Sequence, residues 1–207
     1  MDEKSVVDAA KTVVTEAGDV SAEKEEEKFV YFQMTTSLGD IFLEIDGTNA
    51  PISAANFEQY VEDEFYSGTI YHRVMSGFMI QGGGFTPDMK RKETRAGIAN
   101  EWKNGLSHVR GSLAMARVGG DANSGTSQFF INVVDNIFLG DPQPDGAAYA
   151  VFGRVVRGMD VVDAIRNVRT GYKQGMKDVP VEVVMIETIV LLDADKVAEL
   201  ELVASDG

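Results

Sequence analysis

The sequence predicts a mostly β domain, an antiparallel barrel or sandwich plugged by helices. Three observations carry that expectation: many short runs of aromatic and β-branched residues, 21 glycines to punctuate them, and only two segments with a clear helical period. No internal repeat is present.

Residues 1–28 read as an acidic arm, with nine acids against four lysines, ending in Glu25-Glu26-Glu27. Val6, Val7, Ala10, Val13 and Val14 fit a short amphipathic helix, marginal in isolation because valine is a weak helix former. The body starts at Phe29. Phe29 to Thr36 and Ile41 to Ile45 are strand-like, joined by the turn Ser37-Leu38-Gly39-Asp40. Pro51 opens a helix, where its missing N–H costs nothing, and Phe57, Tyr60, Val61 and Phe65 recur at the helical period.

Tyr71 to Gly84 predicts two short strands joined across Ser76-Gly77. Side chains alternate along a strand, so Arg73, Phe78 and Gln81 converge only if the turn re-aims them. Further strands are expected over Leu113–Ala116, Phe129–Val134, Ala150–Val156 and Val181–Leu192. A second helix is marked by Met159, Val162, Ile165 and Val168. Residues 85–110 and 140–146 read as loops. The body therefore spans 29–192, followed by an acidic, largely solvated tail over 193–207.

A formal net charge of −14 argues against nucleic acid and against anionic lipid as partners, since both are gripped by Lys and Arg. The chain has no cysteine, which removes disulfides, thiolate ligands and a cysteine nucleophile. No apolar run approaches the roughly 18 residues of a membrane span. The segment from Met1 to Lys28 has no apolar core of a signal peptide, so a cytoplasmic location is expected, with the periplasm as the alternative.

Usual bond-breaking motifs are missing. His72 and His108 are the only histidines and have no metal-ligand spacing. Asp121 to Gly125 starts like a calcium loop, but Thr126 stands where glycine is needed and Asn132 where glutamate is needed. Gly82-Gly83-Gly84 and Gly119-Gly120 form neither phosphate-loop pattern, and read as tight turns needing positive φ. No G-x-S-x-G elbow occurs. Phe129 and Phe130 are adjacent on a strand, so one of the pair is free to face a groove.

Taken together, Tyr71-His72-Arg73-Val74, Gly77-Phe78-Met79-Ile80-Gln81-Gly82-Gly83-Gly84, Leu113-Ala114-Met115-Ala116, Ser127-Gln128-Phe129-Phe130-Ile131-Asn132 and Val151-Phe152-Gly153 resemble the cyclophilins, the peptidyl-prolyl cis/trans isomerases. The order and spacing match from about Phe29 to Leu192. Asn132 to Asn136 and Tyr149 to Phe152 resemble the bacterial branch. This resemblance implies a closed eight-stranded antiparallel β-barrel capped by two α-helices, with a peptide groove on the outside. It implies Arg73 as the catalytic group, with Phe78, Met79, Phe130 and Leu139 lining a proline pocket. Gln81 would orient and bond substrate, Ala116 and Arg117 would offer main chain to an extended peptide, and His72 and Gln128 match groove positions.

Rotation about an X–Pro bond crosses about 18–20 kcal/mol because it breaks amide resonance. No bond is cleaved, so the implied reaction needs no metal, cofactor or acid–base pair. A fixed donor aimed at the twisted amide favours that state over either planar one.

Three positions depart from the family pattern. Phe138 stands where many eukaryotic members carry tryptophan, which predicts weak cyclosporin binding. Tyr149 replaces a common pocket histidine, and Arg117 replaces a common asparagine, where a change in preference for acidic peptides is expected. The implied partners are proline-containing peptides and unfolded clients, bound by a monomer that assists protein folding. Competing readings are a binding scaffold with incidental activity and a hollow barrel carrying small apolar ligands. Phe32, Phe42, Phe129 and Ile131 favour a filled barrel over the last.

Overall fold

The computed structural model describes residues 28–202. The expected arm, with its helix at Val6 to Val14, lies outside the described residues apart from Lys28, as do residues 203–207. In chain order the elements are β1 (Phe29–Thr36), β2 (Gly39–Asp46), α1 (Pro51–Glu62), β3 (Thr69–Ile70), β4 (Arg73–Met75), β5 (Met79–Gly82), β6 (Ser112–Met115), β7 (Phe129–Asn132), β8 (Val151–Arg157), α2 (Met159–Arg166), β9 (Thr170–Lys173), β10 (Met176–Pro180), β11 (Met185–Leu191) and α3 (Ala194–Glu199).

Nine strands form one antiparallel sheet in the order β3-β11-β1-β2-β8-β6-β7-β5-β4. The curled sheet's two end strands, β3 and β4, are successive pieces of one extended segment broken at Tyr71 and His72. Merging them gives the eight strands expected from sequence. The hydrogen-bond ladder itself is interrupted there, so the barrel is less fully closed than anticipated. Single main-chain bonds span the break, from Tyr71 N–H to the Val184 carbonyl (2.9 Å) and from His72 N–H to the Gln81 carbonyl (3.1 Å).

Aromatic residues fill the interior. Phe57, on the buried face of α1, meets Phe32, Tyr66, Phe129 and Phe152 with ring centroids 5.2–5.9 Å apart. Met34, Ile41, Leu43, Leu113 and Ile131 complete this core. A packed lumen excludes the hollow carrier barrel. Helix α1 begins at Pro51 as expected, but its free N–H groups are met from a distance: the Glu101 carboxylate accepts from Ile52 N–H (2.9 Å), Ser53 N–H (2.8 Å) and the Ser53 hydroxyl (2.7 Å). That contact also pins the long loop over 85–110 to the barrel.

Four sequence expectations are revised. Phe42 is buried, but outside the barrel, beneath Val197 and Leu202. The segment after Leu192 is not plain tail: Asp193 caps α3 by accepting from Lys196 N–H (2.8 Å), and Val197 docks on Phe42. The strand expected over Val181–Leu192 forms only over Met185–Leu191. The preceding β9–β10 hairpin, exposed along most of β9 but burying Val179 and Pro180 on β10, shows little strand signal in its sequence. Phe65 and Val168 lie just past the ends of their helices and pack from the flanks.

Candidate active site

One rung of the sheet assembles the site. Arg73 on β4 is the register partner of Gln81 on β5, Gln81 of Phe130 on β7, Phe130 of Ala114 on β6, and Ala114 of Val151 on β8. Paired residues point to the same face. Thus five strands, distant in sequence, present a row that runs from a cation through an amide to an apolar floor. The neighbouring rung, Val74-Ile80-Ile131-Leu113, faces the core. Phe129 and Phe130 divide as alternation requires, Phe129 inward and Phe130 outward.

A cavity of about 120 Å³ opens on the outer row, lined by Arg73, Phe78, Met79, Gln81, Ala116, Arg117, Phe130, Leu139 and Tyr149. Nine of the twelve residues named from the sequence therefore meet in one place. Phe78 sits in the turn between β4 and β5, closed by its N–H to the Met75 carbonyl (2.9 Å), and so escapes strand alternation to reach the pocket. Leu139 arrives on a short 3₁₀ turn, Ile137–Gly140. Gln128 supports the row from behind, its carbonyl oxygen accepting from the Gln81 amide (3.0 Å).

Close approach explains the glycine run better than turn geometry does. A Cβ on Gly84 would come within 2.4 Å of the Gln128 side chain, and one on Gly82 within 3.1 Å of the Ile70 carbonyl. Only Gly83 of the three has positive φ, at +79°.

Two sequence-named residues stand apart from the cavity. His72 is 2% exposed, and its ring packs on Phe85 with centroids 4.5 Å apart. Burial, with help from the Arg73 charge, pulls its pKa down to about 4, so the ring is neutral at pH 7. Phe138 is exposed at the rim, stacked on Phe78 with centroids 6.0 Å apart.

Arg117 lines the cavity, but its charge is already engaged. Its guanidinium binds the Asp145 carboxylate (2.5 Å) and the Ala147 carbonyl (2.6 Å), and lies 4.9 Å from the centre of the Tyr149 ring. Its hydrogen bonds lead the causes that hold Asp145 down at about 2. A buried, paired guanidinium cannot draw acidic peptides, so the expected change in peptide preference finds no support. Arg117 instead latches the loop before Tyr149.

Sequence reasoning missed His108 as a site residue. Its ring lies parallel to Phe130, centroids 5.9 Å apart, with Nε2 3.0 Å from the Tyr149 carbonyl and Nδ1 3.2 Å from the Asn132 amide. Asn132 and Asn136 extend this buried network to the Phe78 carbonyl. Burial lowers the His108 pKa. The only cue in the sequence was the scarcity of histidine. Among the described residues, no cluster of three or more His, Cys, Asp or Glu side chains is placed to hold a metal ion.

Residues 31–190 match the family model for cyclophilin-type peptidyl-prolyl cis-trans isomerases. The chain belongs to the cyclophilin family. A peptidyl-prolyl cis-trans isomerase of Acinetobacter baylyi is 54% identical over 158 residues, 75% of this chain and 83% of that protein. The Streptomyces antibioticus isomerase cyp18 is 53% identical over 162 residues, 77% of this chain and 97% of the relative. Isomerase B of Escherichia coli is 51% identical over 156 residues, 74% and 94% of the two chains. Among solved structures, a Cryptosporidium parvum cyclophilin superposes with a TM-score of 0.66 at 24% identity, covering 80% of this chain and 99% of its own. This cyclophilin is accordingly a peptidyl-prolyl cis-trans isomerase, of a fold shared across distant members.

Proposed function

We propose that this cyclophilin isomerises exposed X–Pro bonds in unfolded or flexible protein segments, and so assists folding, with Arg73 stabilising the twisted prolyl amide. The observation that carries this reading is the outer rung: a guanidinium at one edge of a cavity of about 120 Å³ whose apolar side is made by Phe78, Met79, Phe130 and Leu139. Among the described residues, Arg73 forms no ion pair, so its full charge faces the groove. The pocket formed by Phe78, Met79, Phe130 and Leu139 holds the proline ring while the acyl side turns. The amide nitrogen, freed from resonance at the twisted state, gains an acceptor lone pair that the planar states lack. A donor fixed there favours the transition state alone. Arginine suits the role because its planar fork stays charged and keeps its orientation.

The Cryptosporidium parvum cyclophilin was crystallised in the presence of the dipeptide Ala-Pro, and a proline-bearing peptide is the ligand we propose here. The Ala116 N–H already donates to the Gln128 carbonyl (3.0 Å), which leaves the Arg117 main chain as the edge for a peptide laid alongside. Arg73→Ala is expected to lower kcat/KM for a proline tetrapeptide by roughly a hundredfold, the cost of one preorganised donor, with an unchanged circular dichroism spectrum. Near-normal turnover in that variant would remove Arg73 from the mechanism.

Cyclosporin is expected to bind weakly, because Phe138 at the rim has no N–H to donate. Phe138→Trp should tighten the drug by about tenfold, one hydrogen bond's worth, in a fluorescence titration. Equal affinity in the two proteins would assign the weakness elsewhere.

A further inference from the structure

Alternation along β4 puts Arg73 and Met75 on the same outer face, and a guanidinium nitrogen of Arg73 donates to the Met75 sulfur across 3.2 Å. A thioether is a weak acceptor. The contact therefore aims the cation without neutralising it. Met75 is half-buried, pairs across the hairpin with Met79, and rests against the apolar cluster that underlies the groove. The other described methionines differ. Met34, Met79, Met89 and Met115 are buried, Met79 as part of the cavity wall, while Met159, Met176 and Met185 are half-buried and make no hydrogen bond with Arg73. With no cysteine in the chain, methionine sulfur is its only thiol-or-thioether target for a mild oxidant.

We infer that Met75 is an oxidation site that governs Arg73: a peroxide converts its thioether to a sulfoxide, whose oxygen captures the guanidinium and lowers turnover. A sulfur lone pair attacks one peroxide oxygen, the O–O bond breaks, and the departing hydroxide takes the proton carried by the transferred oxygen, leaving the sulfoxide and water. Sulfur is oxidised by two electrons and the peroxide is reduced by two. The new oxygen is a far stronger acceptor than the sulfur, and it must be accommodated beside the guanidinium already in contact there. The inference rests on Arg73 as the catalytic donor.

The test uses the full chain, treated with hydrogen peroxide while oxygen uptake at each methionine is followed by peptide mass mapping. Each protein is compared with its own rate before treatment. Wild-type turnover should fall by at least about tenfold as Met75 gains oxygen, which is the scale of one charged hydrogen bond, and recover with methionine sulfoxide reductase. Met75→Leu should keep its untreated rate, and Met75→Val carries the same comparison if the leucine variant does not fold. A wild-type protein fully oxidised at Met75 yet undiminished in rate would overturn the inference. So would a Met75→Leu protein that loses as much as the wild type, which would move the effect to another methionine. Arg73→Ala measured alongside separates the two readings. If it is inactive while wild type is peroxide-insensitive, only the methionine switch fails; if it is active, the catalytic assignment fails first.

Discussion

The two faces of strands β4, β5, β7 and β6 are built from residues one step apart. Val74, Ile80, Ile131 and Leu113 form the inner rung, aliphatic and almost wholly excluded from water. Arg73, Gln81, Phe130 and Ala114 form the outer one. The inner residues are interchangeable in kind, since each contributes only volume and apolar surface. The outer ones are not, because each differs in chemistry from its neighbour, and in the function proposed above its place in the row sets its role. On that reading a sheet with two faces separates what holds the protein together from what it does, by a single residue's offset.

The sharpest way to break this comparison is to cut the inner rung. Ile131→Ala should lower unfolding free energy by about 4 kcal/mol, through lost burial and the cavity left behind. Molecules that remain folded should keep kcat/KM within a few-fold, as judged by urea titration and a peptide assay on one sample. A turnover loss as large as that of Arg73→Ala would show that the faces are coupled. Next in size is Arg73→Ala itself, where the hundredfold fall in rate is worth about 2.7 kcal/mol of barrier. Its unfolding midpoint should stay within about 0.5 kcal/mol of wild type, as for other surface substitutions.

The smallest effect concerns His72, which adjoins Arg73 in sequence but is buried and does not line the cavity. Its pKa falls from 6.5 in the unfolded chain to about 4 on folding, so the unfolded state binds the proton more readily. Its neutral form is favoured by the fold, and stability is lost as pH falls from about 6.5 towards 4. The loss between pH 7 and pH 5 should be about 2 kcal/mol. His72→Gln should remove that part of the pH slope in urea midpoints. An unaltered slope would place the titrating group elsewhere, with His108 the next to test.

The legible parts of the molecule were those whose information is local. Phe57, Tyr60 and Val61 marked α1 by period, and the run from Tyr71 to Gly84 revealed the edge of the groove through family resemblance. Alternation foretold that Phe129 and Phe130 would separate, though not which faced out. Less was legible where partners are remote. His108 sits in a loop without periodicity, and its contacts lie 24 and 41 residues away at Asn132 and Tyr149. The Arg117–Asp145 pair spans 28 residues and overrode the expected use of that charge. Helix α3 is six residues long and gains its footing from Phe42, a residue assigned from sequence to the barrel interior. Met75 drew no notice because a methionine on a short strand signals packing and nothing else.

The outer rung has a consequence for how activity arises during folding. Its members enter the chain between residues 73 and 151, and each cross-strand pair closes a loop of its own. Non-local pairings of this sort form late and slowly. No hairpin contains both the guanidinium and a complete floor, so on the proposed mechanism partly folded chains are expected to be inactive. Regain of isomerase turnover after dilution from denaturant should therefore track completion of the rung from β4 to β8, and a single chain is expected to lack activity towards its own prolines before that point.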